Sequence, residues 1–343
     1  MLNSEKNMNI LLTGASGFIG SHIAEEALRQ GHNVWCAVRK TTSRKYLQDS
    51  RLHFVELNMS SPEQMTEAIA ATGVTFDAVV HAAGATKCPT RDDFFRTNTE
   101  GTRNLVGVLD NLYGGSDHFR GVFLSSLSVV NSIPEEKLGE PTAYGESKLR
   151  AEECVRNSKL PWVILRPTGV YGPREKDYFI MVKSIKQHTD FAIAGMEQIL
   201  TFVYVDDVVQ AVMLALTRPA EQVVGNTYPL SDGREYSSVT FSDLIIDNLT
   251  ELEGHRPWVL RIKAPLWLMR IVCNFGELYN RLFARKNPAR LITLNNDKYN
   301  ILTQRDWRCD ITATRQQLGY DPKVQLEEGV RRTVRWYKEN NWL

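Results

Sequence analysis

The 343-residue sequence has almost no net charge, with 41 Lys and Arg set against 40 Asp and Glu. A chain so balanced carries almost no overall field to gather nucleic acid or an anionic membrane. Nucleic acid is therefore not an expected partner, and any charge-driven binding must be local. Cysteine is scarce: Cys36, Cys88, Cys154, Cys273 and Cys309 are odd in number and widely scattered, with no CxxC pair. This pattern argues against a disulfide framework and against a zinc or dithiol motif, so we expect reduced thiols, no metal and a cytoplasmic location. Long apolar runs are missing as well. The opening MLNSEKNMNILLTG lacks the roughly 7 to 15 apolar residues of a secretory signal. The most apolar segment, Pro265 to Phe275, is broken by Arg270 and falls short of the roughly 20 residues of a membrane-spanning helix. There is no internal repeat and no low-complexity tract. What is present, 43% hydrophobic and 24% charged residues, is the composition of an ordinary globular protein.

The first 170 residues alternate short β-branched runs with longer helical patterns, which reads as an α/β chain with a parallel sheet covered on both faces. Strands are expected at Asn9 to Thr13, Asn33 to Val38, Leu52 to Glu56, Ala78 to Ala82, Gly121 to Ser125 and Trp162 to Arg166. They are nearly continuous in apolar residues, as doubly buried strands should be. Helices are expected near Phe18 to Gln30, Pro62 to Thr72, Asp92 to Leu112 and Tyr144 to Ser158. The spacing thus predicts a Rossmann-type doubly wound domain over 1–170 and a smaller α/β substrate-binding region over 171–343. Within the latter, Phe202 to Val205 and a helix from Asp206 to Leu216 are expected to return to the first domain. Further amphipathic helices are read at Asp177 to Gln187, Phe241 to Leu252, Pro265 to Phe283 and Leu326 to Asn340.

Gly14-Ala15-Ser16-Gly17-Phe18-Ile19-Gly20 directly follows the first strand and opens the first helix. A glycine string in that context is a dinucleotide-binding signal. Gly14 permits the tight turn, Gly17 lets backbone approach a pyrophosphate, and Gly20 allows close packing, while the helix N-terminus offers free amides to the anion. About 20 residues past the first glycine an NAD enzyme places an acid on the ribose hydroxyls. This chain has Arg39 there, and a guanidinium suits a 2′-phosphate. NADP is therefore the preferred cofactor, with NAD as the alternative. Arg39, Lys40, Arg44 and Lys45 also read as a solvated basic loop.

Tyr144 and Lys148 stand four apart in a helical stretch, so both project from one face. A tyrosine ionises near 10, too high for proton exchange at neutrality unless a nearby cation stabilises the phenolate. Ser126 ends the fifth strand on the side where ligands of open parallel sheets bind. Three side chains from two elements then converge as a hydride-transfer site requires. Ser125 is a partial substitute for Ser126.

TGASGFIG (13–20), HAAG (81–84), NTEGTRNL (98–105), SSLS (125–128), YGESK (144–148), LRPTGVYGP (165–173) and FVYVDDVVQA (202–211) together resemble the extended short-chain dehydrogenases/reductases, which include the NAD-dependent epimerase/dehydratase group. The resemblance implies Ser126, Tyr144 and Lys148 as the catalytic set. It also implies that Ala82, Ala83 and Gly84 line the cofactor, that Pro167, Thr168 and Val170 lie near the carboxamide, and that Asn98 supports the strand ends. Asn58 and Met59 stand where the family has an aspartate and an apolar residue beside the adenine. Members acting on nucleotide sugars commonly carry Asn where this chain has Gly169, which moves the expectation toward ketones or hydroxyls on apolar substrates. Arg174, Arg281, Arg285, Lys286 and Arg290 could still cradle a diphosphate or form a solvated face. The family usually dimerises through the helices corresponding to Asp92–Leu112 and Tyr144–Ser158, so a homodimer is expected.

The leading reading is an NAD(P)-dependent oxidoreductase acting on a small-molecule substrate. Its alternatives are a nucleotide-sugar epimerase or dehydratase with tightly bound NAD, and a non-catalytic NADP-sensing protein. The apolar helix Pro265 to Phe283 reads first as a pocket roof or core element, then as a subunit contact or shallow membrane association.

Overall fold

A computed structural model describes residues 7–116, 118–137, 139–284, 292 and 294–343. Its first half runs β1 (Asn9–Thr13), α1 (Phe18–Arg29), β2 (Asn33–Val38), β3 (His53–Glu56), α2 (Pro62–Ala71), β4 (Ala78–His81), α3 (Arg91–Phe94), α4 (Gly101–Tyr113), β5 (Arg120–Leu124), α5 (Ala143–Arg156) and β6 (Trp162–Pro167). The second half contains β7 (Gly169–Tyr171), α6 (Asp177–Lys186), β8 (Thr189–Ile193), β9 (Ile199–Leu200), β10 (Phe202–Tyr204), α7 (Val205–Thr217), α8 (Ala220–Val223), β11 (Thr227–Leu230) and β12 (Tyr236–Ser237). It ends with α9 (Thr240–Glu253), β13 (Leu260–Ala264), α10 (Leu266–Tyr279), α11 (Asn296–Thr303) and α12 (Leu326–Glu339).

Seven strands form one sheet in the order β11-β6-β5-β4-β1-β2-β3. Every neighbouring pair in it is parallel, and Leu11 lies opposite both Trp35 and Val79. This is a Rossmann-like doubly wound sheet. Strand order reverses between β1 and β4, and that switch point opens a crevice at the strands' C-terminal ends. One face of the sheet packs on α1 and α7 through Ile23, Ala24, Val208 and Val212, and the other on α2, α4 and α5 through Met65, Leu105, Leu109 and Val155. Each fully buried aliphatic side chain of this kind contributes roughly 1.5–3 kcal/mol. A third core gathers Tyr171, Phe202, Phe241 and Tyr337 beyond the end of the sheet.

The short elements β7, β8, β9, β12, β13, α8 and α11 were not read from the sequence, and three further differences bear on the site. The helix read over Asp92 to Leu112 is interrupted by a π-helical turn at Phe95–Glu100, a widening that often marks functional positions. The seventh strand, β11, was not expected because its TYPL carries Pro229; at the sheet edge a missing amide is tolerated. The apolar helix α10 continues as a π-turn over Asn280–Ala284, but it does not roof a core: within α10 only Cys273 and Gly276 are buried. Among the described residues no helix is long and apolar enough to cross a membrane.

Candidate active site

The glycine turn is shaped by close approach. Gly14 has φ +72°, and a Cβ there would fall 2.6 Å from the Ala82 carbonyl and the Ala83 amide, so the turn rests on the end of β4. Gly17 donates its N–H to the Gly14 carbonyl at 2.9 Å. A Cβ on Gly20 would meet the same carbonyl oxygen at 2.1 Å, so α1 packs directly on the turn. Ser16, Phe18 and Ile19 are half-buried around it. Gly17 caps α1 with no side-chain hydrogen bond, and the first turn holds no acid. Such a helix end presents its amides and its partial positive charge to an anion.

A buried chain beneath the turn was not foreseen. The Thr13 hydroxyl lies 2.7 Å from His81 Nδ1 and accepts the Ala83 N–H at 3.3 Å, while His81 Nε2 lies 2.9 Å from the Thr102 hydroxyl. Burial, aided by the nearby Lys148 ammonium, lowers the His81 pKa to about 3. A neutral imidazole thus ties β1, β4 and α4 together below Ala82, Ala83 and Gly84.

On the other side of the crevice, Arg39 is exposed just beyond β2, and its N–H donates to the Thr42 hydroxyl at 3.0 Å. The Asn58 side-chain oxygen accepts the Ser60 N–H at 3.1 Å, and the Asn58 amide donates to Gln64 Oε1 at 2.8 Å. Asn58 therefore shapes the turn leading into α2. Met59 faces Gly101 of α4, and its carbonyl accepts from Asn104 Nδ2 at 2.9 Å.

Tyr144 and Lys148 lie on α5, as their spacing predicted, and Ser126 lies just past β5. Thr142 caps the helix by accepting the Gly145 N–H at 2.9 Å. The Asp297 carboxylate of α11 takes the Ala143 and Tyr144 amides at 3.1 and 3.3 Å. Burial raises the Tyr144 pKa, and a hydrogen bond with Ser126 works against that rise. Lys148 is 3% exposed, donates from Nζ to the Leu124 carbonyl at 2.6 Å and sits 4.2 Å above the centre of the Phe123 ring. Desolvation lowers its pKa to about 7, with Glu152 opposing the shift. One turn further along α5, the fully buried Glu152 accepts both Nε and a terminal nitrogen of Arg166, at 2.9 and 2.8 Å. Ser125 donates to the same carboxylate at 2.5 Å. Its hydroxyl is therefore engaged on the far side of the sheet end and does not stand in for Ser126.

Asn98, buried in the π-turn, donates from Nδ2 to the Ala85 carbonyl (3.0 Å) and the Ser147 hydroxyl (2.9 Å), and accepts the Ala85 N–H at 2.8 Å. It clamps the Ala82–Gly84 loop to α5. A Cβ on Gly84 would lie 3.6 Å from Lys148 Nζ.

A cavity of about 470 Å³ opens beside this cluster, with Ser126, Pro167, Thr168, Gly169, Tyr178 and Lys298 among its lining residues. Val170 packs behind it, between two cores. The buried Thr168 hydroxyl has no hydrogen-bond partner among the described residues. A Cβ on Gly169 would fall 2.5 Å from the Tyr178 hydroxyl. Of the basic residues considered for a diphosphate, the two that are described are engaged by acids. Arg174 is bonded to Ser21 and Glu25 at 3.0 and 2.7 Å, and Arg281 lies 3.5 Å from Glu277. Arg285, Lys286 and Arg290 lie outside the described residues. Among the described residues no cluster of His, Cys, Asp or Glu could hold a metal ion.

The crevice fits a dinucleotide. The glycine turn packs backbone against backbone on β4 and α1, the end of α1 lies open to an anion, and the buried Thr168 hydroxyl is left unpaired among the described residues. The sequence model of the NAD dependent epimerase/dehydratase family matches residues 10–230. The chain is 23% identical to the decarboxylating sterol-4-alpha-carboxylate 3-dehydrogenase of Candida albicans, over 98% of this chain and 99% of that one. A crystal structure of UDP-glucose 4-epimerase from Thermotoga maritima with UDP-glucose aligns with a TM-score of 0.73 at 22% identity, covering 97% of this chain and 100% of that one. The dTDP-glucose 4,6-dehydratase of Bacillus anthracis in complex with NAD gives 0.72 at 19% identity, over 98% of each chain.

Proposed function

The chain belongs to the NAD dependent epimerase/dehydratase family of extended short-chain dehydrogenases/reductases, and from that premise we propose that it is an oxidoreductase whose substrate is an apolar carbinol or carbonyl compound. The observation that carries this reading is Ser126, which lines the cavity and is hydrogen-bonded to Tyr144, with Lys148 a helical turn along α5. A bound nicotinamide supplies or accepts the hydride. The Ser126 hydroxyl orients the substrate oxygen. Tyr144 gives its phenolic proton to that oxygen in reduction and takes it back in oxidation. Lys148, fixed by the Leu124 carbonyl, places its charge where it favours the phenolate and thereby brings proton transfer toward neutral pH.

Gly14, Ser16, Gly17, Phe18, Ile19 and Gly20 are assigned to the pyrophosphate, and Asn58 and Met59 to the adenine side. Ala82, Ala83, Gly84, Asn98, Pro167, Thr168 and Val170 form or support the nicotinamide end. Arg39 supports a preference for NADP over NAD, because its cation stands at the end of β2 where a 2′-phosphate would lie. Two copies are expected to pair through α4 and α5.

The Gly169 and Tyr178 pairing favours an apolar substrate over a nucleotide sugar, since an aromatic hydroxyl fills the place of the family's amide. The C. albicans relative is named for a sterol, in keeping with such a cavity. A second reading, a nucleotide-sugar epimerase or dehydratase, draws support from the two structural relatives. Net absorbance change at the reduced-nicotinamide band separates the two. Interconversion of a sugar nucleotide with no net change would overturn the first. A non-catalytic role is disfavoured by the assembled Ser126, Tyr144 and Lys148. Tyr144→Phe should keep dinucleotide binding and lose turnover by about a hundredfold or more; a Phe variant with full activity refutes the assignment.

A further inference from the structure

The ribbon formed by β8 and β13 joins the cavity to the surface. Phe191 of β8 lines the cavity, yet it is 66% exposed. In the parallel register it lies opposite Ile262, and Ala264 lies opposite Ile193. Pro265 then turns the chain into α10, which packs against α11 where Gly276 meets the Leu294 carbonyl. Lys298, Ile301 and Leu302 of α11 line the cavity. The ribbon and α11 thus set α10 beside the cavity.

The surface there is unusually bare. Trp258, Trp267 and Phe275 are 65–69% exposed, and Leu278 and Leu282 are more than half exposed. An apolar patch of this kind marks an interaction site. Its cations outnumber its acids: between Gly254 and Ala284 stand Arg256, Arg261, Lys263, Arg270 and Arg281 against Glu277. Arg256 pairs with Asp247, Arg261 with Asp190 and Asp243, and Arg281 with Glu277, which leaves Lys263 and Arg270 without an acidic partner among the described residues. In a two-fold contact between copies the same patch meets itself, so like charges would be brought together, and the cavity mouth would be closed. An anionic bilayer meets the same features favourably. Exposed tryptophans settle at the headgroup level, an apolar helix face sinks between headgroups, and Arg and Lys gain from the surface potential. At about 1.5 Å per residue, α10 is roughly 21 Å long, enough to lie in the interface but not to span it.

We propose that α10 and the β8–β13 ribbon form a docking surface for an anionic lipid bilayer, with the cavity mouth set at the membrane plane. The delivery of a lipid-dissolved substrate that this implies rests on the oxidoreductase reading; the docking itself does not.

The test is flotation of the full chain with phosphatidylcholine vesicles, with and without one part in four of phosphatidylglycerol. Wild-type protein should float with the anionic vesicles and much less with neutral ones, and binding should weaken in high salt. Trp267→Glu with Phe275→Glu should reduce flotation about tenfold or more, with unchanged melting temperature and dinucleotide binding. Should that variant misfold, bromine-labelled anionic lipids should quench the wild-type tryptophan fluorescence. Absence of flotation, absence of quenching, flotation indifferent to the double substitution, or a dimer in light scattering that the substitution dissociates would each overturn the proposal. Flotation needs no turnover, so its failure is distinguishable from failure of the oxidoreductase assignment.

Discussion

Replacing Lys148 with methionine should make the cofactor-free protein more stable while abolishing its turnover. Burial holds the Lys148 pKa at about 7, against 10.5 for the free side chain. Each pH unit of that difference is worth about 1.4 kcal/mol, so at pH 7 and below the buried ammonium costs about 5 kcal/mol. The hydrogen bond to the Leu124 carbonyl and the contact with the Phe123 ring are already contained in that difference. Methionine fills the same length with no charge and gives up the amine's hydrogen bond, a loss of roughly 1–3 kcal/mol, which leaves a net gain of roughly 2–4 kcal/mol and a rise of several degrees in Tm. Between pH 7 and 10.5 the unfolded lysine binds a proton that the folded one has lost. Wild-type stability therefore gains on the variant as pH rises through this window, and the advantage of methionine fades. Thermal melts of both proteins without cofactor, from slightly acid to strongly alkaline pH, measure the gap. A variant that melts below wild type at neutral pH, or a gap that does not narrow with rising pH, refutes the reasoning.

Gly20→Ala sets a methyl 2.1 Å from the Gly14 carbonyl, an overpacking that costs roughly 1–3 kcal/mol. Dinucleotide binding measured by fluorescence should weaken about tenfold or more, and unchanged binding would show that the turn tolerates a side chain. Arg39→Asp should weaken NADP(H) about tenfold or more while leaving NAD(H) equal or better; equal losses for both would remove Arg39 from cofactor selection. Glu152→Gln strips the carboxylate from Arg166, which is 8% exposed, and should cost about 3–5 kcal/mol at neutral pH. Burial alone would raise the Glu152 pKa, but Arg166, Ser125 and Arg156 outweigh it and hold it below its ordinary value. Its contribution is therefore complete above the ordinary carboxylate range and lost as pH falls beneath it. The wild-type advantage in Tm should close on acidification, and a gap that stays constant would contradict this.

The strands of the sheet were legible because burial on both faces demands nearly continuous apolar runs, as in Ala78–His81 and Trp162–Pro167, broken only at His81 and Arg166 near their ends. β11 escaped notice because a four-residue edge strand with Pro229 has neither the length nor the pattern. In α10 the helical period was correct, but a stripe of apolar residues does not say what covers it. The same division runs through the site. Tyr144, Lys148 and the glycine turn are visible because their spacing is local. Asp297 holds the start of α5 from 154 residues away, and Tyr178 reaches Gly169 only once α6 folds back across β7. His81 stood within a motif already noticed, yet its role depends on two hydroxyls that reach it from β1 and α4.

Gly169 and Tyr178 act as a single choice about the substrate. A side chain at 169 would collide with the Tyr178 hydroxyl, and Tyr178 is held in place by stacking on Phe241 at 4.8 Å and 27°. Burial raises the Tyr178 pKa, with Glu175 and Asp177 adding to the rise, so the hydroxyl stays protonated and neutral. Where an amide would contact a diphosphate, this wall offers an aromatic ring. The cation in the lining is Lys298, whose pKa is lowered by burial and raised back by Asp177. Ser126, hydrogen-bonded to Tyr144, gives the cavity one polar end, and Tyr178, Met181, Phe191, Phe202 and Phe241 line it with apolar surface beside the polar Asp177, Asp190, Gln198 and Thr201. On the proposed function, the substrate sets its reactive oxygen at the Ser126 end and apolar surface against the aromatic wall.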